Sequence, residues 1–194
     1  QAWTPPGNGK RAFLDRPVPQ PSRLDEALIE LPATLGDWRQ LVLEDGRQHV
    51  ENSASGPRLR LRRQVYNGEG AARLPLAGSA VGQWRPYLEA SLYIQSDDQR
   101  IVELAQRLKG DEHDAWKVAR RLQRWVYDHM VPVQTDVRFK SALEVLQDMQ
   151  GTCSEYTALY LALCRAAGLP ARAAVGLVAG RTEALTLHIW AQVY

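Results

Sequence analysis

From Ser96 to its end the chain places apolar residues at helical spacing and then at strand spacing, with turn signals at each change. Ile101, Leu104, Ala105 and Leu108 form one stripe, which predicts a helix closed by Gly110; Ser96-Asp-Asp-Gln99 has the spacing of a capping box at its start. Trp116, Ala119, Leu122 and Val126 predict a second helix, opening near Asp111 or Asp114 and running to about His129, with Pro132 as its stop. Ser141-Ala-Leu-Glu144 is another capping-box spacing and predicts a short helix to about Asp148, broken by Gly151. Residues 153–167 are apolar almost all round, the pattern of a helix enclosed on most sides, and Gly168 and Pro170 end it. Two strands follow. Ala171–Val178 is an apolar run interrupted by Arg172. Leu185–Tyr194 alternates, with Leu185, Leu187, Ile189, Ala191 and Val193 on one face and Thr186, His188, Trp190, Gln192 and Tyr194 on the other.

Before Ser96 the signals are short strands. Arg39–Leu43 is one candidate and Arg58–Tyr66 a clearer one, flanked by the turn dipeptides Asp45-Gly46 and Asn67-Gly68. Arg58, Arg60 and Arg62 alternate along the second of these, and a solvated face explains them better than a site for an acidic polymer. Residues 1–23 hold five of the eleven prolines and no sustained period, which predicts an extended leader. The expected organisation is therefore a leader over 1–23, a β-rich region over 24–92 and an α+β core over 93–194.

Composition narrows the function classes. At 194 residues, with 45% apolar and 24% charged side chains, the chain has the make-up of an ordinary globular protein. A net charge of +2 with interspersed signs gives no footprint for nucleic acid or an anionic membrane, and no apolar run is long enough to span a bilayer. No metal-ligand spacing occurs, so neither a metal nor another cofactor is expected. The first residue is Gln1, as expected of a processed or excised segment; a removed signal peptide is one explanation. Cys153 and Cys164 fall on the same predicted helix, roughly 16 Å apart along its axis, too far for a disulfide.

Cys153 sits at the first turn of the enclosed helix, directly after Gly151-Thr152. Unpaired N–H groups and the positive end of the helix dipole favour a thiolate there and offer donors to an oxyanion. Gly151 is read as allowing a tight turn that leaves the sulfur accessible. His188 lies on the strand face opposite the apolar stripe, where its imidazole is a candidate general base for the thiol. Trp190, two residues on and on the same face, is a candidate for substrate contact or for shielding the site from water. Cys164 reads as core. Trp116 and Trp125 read as core or half-buried contacts. Arg172 reads as structural, with Glu144 or Glu155 as candidate partners.

The run Gly151-Thr-Cys153-Ser-Glu-Tyr156, preceded by Ser141-Ala-Leu-Glu-Val-Leu, is followed by Leu163-Cys-Arg165-Ala-Ala-Gly168-Leu-Pro170-Ala-Arg172 and by His188-Ile-Trp190-Ala-Gln-Val193. In this order and spacing, residues from about Tyr87 to Tyr194 resemble the transglutaminase-like superfamily, particularly its bacterial members. The resemblance implies a papain-like α+β core with a Cys-bearing helix packed on an antiparallel sheet. It also implies Cys153 as nucleophile, His188 as base, and an Asp on a later strand, expected after Tyr194. Gln192 stands where the family often has an acid. The implied activity is that of a thiol hydrolase or acyltransferase: a peptidase or amidase, or protein-glutamine acyl transfer, through a thioester on a protein or peptide substrate. Hydrolysis is the expected outcome, since no acidic metal-loop pattern accompanies the site. The other reading is a non-catalytic binding or scaffold module of the cell envelope. A periplasmic or secreted location is expected, as is self-association through the C-terminal edge strand.

Overall fold

In a computed structural model of the chain, residues 11–31, 44–54, 56–77, 79–133, 139–179 and 183–194 are described. The chain divides into two compact units, one of Gln1–Arg11, Gly68–Val178 and Thr186–Tyr194, the other of Ala12–Asn67 and Ala179–Leu185.

The larger unit is built around four helices, α2 (Gln99–Lys109), α3 (Ala115–His129), α4 (Ala142–Asp148) and α5 (Cys153–Ala166). The other three all pack on α5. Ile101, Leu104 and Ala105 of α2, Val118, Ala119, Leu122 and Val126 of α3, and Ala142 and Val145 of α4 meet Leu159, Leu161, Leu163 and Cys164 of α5 in one buried cluster. A helix with neighbours on several sides has no face left for polar residues, which is why α5 is apolar all round while α2 and α3 are striped. Local chemistry sets the ends. The Asp114 carboxylate accepts from the Lys117 N–H at 2.9 Å to open α3, and both bonds of the Ser141–Glu144 capping box are present on α4. The cap of α2 is Asp98, which accepts from Arg100 N–H at 3.0 Å, rather than the expected Ser96. Ser96 is itself buried.

Tight backbone approaches fix the loops around these helices. Gly68 has φ +92°, and a Cβ there would stand 2.8 Å from Trp116 Nε1, so the indole occupies the space a side chain would need. Within the region 24–92, expected to be β-rich, the later part carries a short helix α1 (Ser79–Trp84) and a 3-10 turn at Arg85–Tyr87. Val65 and Tyr66 are exposed and the strand ends earlier, at Arg62.

The sheet that completes the site-bearing region has the order β1-β8-β7, with β1 at Arg11–Phe13, β7 at Ala171–Ala179 and β8 at Ala184–Val193. The expected bare edge beside the last strand is thus partly taken by the chain itself: β1 pairs with β8, and the Leu14 N–H donates to the Glu183 carbonyl at 2.9 Å.

The smaller unit holds an antiparallel sheet in which β4 (Gly56–Arg62) lies between β2 (Glu26–Glu30) and β3 (Gln48–Ser53). Its central strand β4 carries the arginine stripe, and the flanking strands supply acids in register. Arg58 pairs with Glu30 at 2.9 Å, Arg60 with Glu26 and Glu51, and Arg62 with Glu26 at 3.1 Å. The stripe is a ladder of cross-strand ion pairs. Arg39–Leu43, the other expected strand, lies outside the described residues.

Two glycine substitutions test this account in opposite directions. Gly68→Ala is expected to destabilise the protein by about 2 kcal/mol or more, through its positive φ and the Trp116 contact. Gly82→Ala in α1, where an added Cβ meets nothing within 4 Å, is expected to stabilise it by about 0.5–1 kcal/mol. Urea titration followed by circular dichroism reads both.

Candidate functional site

The start of α5 is held by a short relay of backbone and side-chain bonds. Met149 closes α4 with φ 50°, and Gln150–Gly151 (β6) then runs parallel to Val131–Pro132 (β5). The Val131 N–H donates to the Met149 carbonyl at 2.8 Å and the Val133 N–H to the Gly151 carbonyl at 3.0 Å. The Tyr156 hydroxyl donates to the Met130 carbonyl at 2.8 Å, tying the first turn of α5 to the same segment. Burial pushes the Tyr156 hydroxyl's pKa up, so it stays a donor at neutral pH.

Beneath this relay lies Glu155, 1% exposed. Its carboxylate accepts from the Thr152 N–H at 2.8 Å, the Thr152 hydroxyl at 2.7 Å and the Lys140 N–H at 3.4 Å. A buried carboxylate is tolerable only when donors surround it, and here they come from two separate segments. Gly151 is the complement of this arrangement. A Cβ at residue 151 would stand 2.6 Å from Glu155 Cγ and closer still to its Cβ. Gly151 therefore makes room for Glu155; its φ is not positive, and the expected role in a tight turn is replaced by this one. The Thr152-x-x-Glu155 spacing, that of a capping box, is the sequence signal for the pair.

Cys153, the first residue of α5, is a free thiol of intermediate exposure. N–H groups in the first turn of a helix have no carbonyl four residues back to bond; that of Glu155 donates instead to the Thr152 side chain. Cys164, further along the same helix, is also free but fully buried, and burial pushes its pKa up to about 12.

His188 lies near the middle of β8 and is exposed. Strand alternation sets it and Trp190 on the face opposite Ala191 and Val193, which pack on the core. The two rings stack with centroids 6.4 Å apart and planes at 25°. What ties this strand to the Cys-bearing helix is Thr157, whose hydroxyl donates to the Ile189 carbonyl at 3.4 Å. Thr157 is one helical turn, about 6 Å, beyond Cys153, and Ile189 adjoins His188. Cys153 and His188 are not hydrogen-bonded to each other.

On the same strand face, Gln192 accepts from Arg172 Nε at 3.0 Å. The Arg172 guanidinium lies 5.8 Å over the Tyr87 ring and 5.5 Å over the Tyr194 ring. Its partners are these, not Glu144 or Glu155. Among the described residues no three His, Cys, Asp or Glu side chains converge as metal ligands would.

Residues 102–194 match the sequence model of the transglutaminase-like superfamily. Solved structures with the same fold include a candidate cysteine protease of Cytophaga hutchinsonii, 20% identical, with a TM-score of 0.56 over 95% of this chain and 63% of that one. Another is the periplasmic domain of TgpA from Pseudomonas aeruginosa, 18% identical, with a TM-score of 0.51 over 71% of this chain and 49% of that one. The chain thus spans less than two thirds of either protein, and at these identities the likeness is one of fold: mixed α+β, of the papain-like, transglutaminase-like kind. No curated protein matches the sequence.

Two measurements test the geometry. With its pKa at about 12 and its side chain enclosed, Cys164 holds almost no thiolate at neutral pH; iodoacetamide at pH 7.5 is expected to label Cys153 alone, and both thiols after denaturation. Labelling of Cys164 in the folded protein would contradict its burial. Glu155→Ala, which strands three donors, is expected to cost about 3 kcal/mol in urea unfolding, and Gly151→Ala about 1–3 kcal/mol by crowding the same carboxylate.

Proposed function

From the match of residues 102–194 to the sequence model of the transglutaminase-like superfamily, we propose that this chain is a member of that superfamily and a cysteine-dependent amide-bond enzyme, with Cys153 as nucleophile and His188 as general base. The supporting observation is the Thr157–Ile189 bond, which fastens the Cys-bearing end of α5 to the strand position beside His188. The His188 imidazole takes the Cys153 proton, and the sulfur adds to the carbonyl carbon of a peptide or side-chain amide. The oxygen gains negative charge opposite N–H groups of the first turn of α5. The C–N bond then breaks as imidazolium returns its proton to the departing amine, leaving a thioester. Water, deprotonated by the same imidazole, attacks the thioester and releases the acid and the thiol; an amine in its place gives the transferred amide. Water is the favoured acceptor here, because His188 is exposed to it.

The proposed substrate is a protein or peptide, and the proposed chemical core is 93–194. The likeness to a periplasmic domain supports a location in the periplasm or outside the cell. No helix among the described residues is long and apolar enough to cross a membrane.

Hydrolysis of a fluorogenic peptide amide is expected to fall by about 10⁴-fold or more in Cys153→Ala. His188→Ala should lose about 10²–10⁴-fold. Undiminished turnover in Cys153→Ala would remove Cys153 as the nucleophile, and a parent protein without turnover would leave the reading of a binding module.

A further inference from the structure

Trp190 is 37% exposed on an open strand face, yet its indole is not loosely placed. A Cβ at Gly176 on the neighbouring strand would stand 2.7 Å from Cη2 and 3.3 Å from Cζ3 of Trp190. The indole therefore lies directly on the backbone of β7. Glycine inside a strand weakens it and often marks a close approach; here the approach is that of an aromatic ring, held flat on one side by peptide and beside the His188 ring on another. Val178, two residues beyond Gly176 on the same face and 43% exposed, extends the apolar surface. Thr186 and Gln192, the next β8 residues on that face, are uncharged, and Arg172 is engaged by Gln192, Tyr87 and Tyr194.

We propose that Trp190, seated on Gly176, is a specificity-determining residue: an apolar shelf that receives a neutral apolar or aromatic side chain of a peptide substrate, within two residues of the reacting carbonyl. The proposal rests on His188 being the base of the reaction above. Two residues of extended chain advance about 7 Å, and the ring centroids of His188 and Trp190 are 6.4 Å apart. A carbonyl held at His188 thus carries a side chain two residues away over the indole. An apolar side chain gains contact there, whereas a charged one loses hydration against the indole.

Binding separates this proposal from the chemistry. The full chain carrying Cys153→Ala is titrated by calorimetry with two peptides that differ only in Phe or Gly two residues from the target carboxamide. The Phe peptide is expected to bind about tenfold more tightly. Adding Trp190→Ala should erase that preference. So should Gly176→Val, which keeps the indole but pushes it off its seat, while Trp190→Phe should retain most of it. A preference that survives both Trp190→Ala and Gly176→Val, or no preference in the parent, overturns the proposal. Failure of the reaction itself would appear elsewhere, as turnover undiminished by Cys153→Ala, and leaves these binding ratios unaltered.

Discussion

One buried carboxylate governs the geometry of the site-bearing unit. Glu155, 1% exposed, draws the Thr152 backbone and hydroxyl and the Lys140 backbone onto itself. Because it is the third residue of α5, it ties the helix to the chain that leads into it and to a loop from before α4. Charge-assisted bonds of this kind contribute about 1.5–3 kcal/mol each, and stranding them costs as much again. The position of Cys153 follows from that restraint, since it lies between Thr152 and Glu155. Gly151 is part of the same device, because any side chain there would occupy the volume of the Glu155 side chain.

The all-round apolar character of α5 has a related consequence. Enclosed by α2, α3 and α4, the helix cannot rotate or slide without breaking close packing, so the restraint at its first turn is matched by one along its length. Cys164 and Tyr160 show the depth of this packing. Burial pushes both pKa values up, and the Tyr160 hydroxyl satisfies itself on the Ala119 carbonyl at 3.1 Å. The two thiols of one helix thus differ by position, one of intermediate exposure and one sealed in the core.

The β7–β8 pair shows how a strand divides its duties. Ala191 and Val193 face the core, while His188, Trp190 and Gln192 face away from it. Each of the outward residues is held by something specific to this fold: a ring stack, a glycine seat, a guanidinium. In the smaller unit the same principle acts with charge, as Glu26, Glu30 and Glu51 turn the β4 arginines into a neutral ladder.

Local pattern was enough for much of this. The four long-period helices, the enclosed nature of α5, the Ser141–Glu144 cap, the two final strands and the α+β fold class all follow from spacing and turn chemistry. Each of these depends on residues within a turn or two of one another, which a linear sequence displays. The sequence also singles out Cys153 and His188, because a helix-initiating thiol and a strand histidine keep their order along the chain. What it did not display depends on segments distant in sequence. Asp98 outcompeted Ser96 as a cap because Ser96 was buried, β1 reached β8 from the far end of the chain, and the β4 arginines met acids on two other strands. Gly151 and Gly176 read as turn and strand residues until the Glu155 side chain and the Trp190 indole were seen to occupy their space. Only tertiary packing decides which empty volume a glycine preserves, since the atom that fills it comes from elsewhere in the fold.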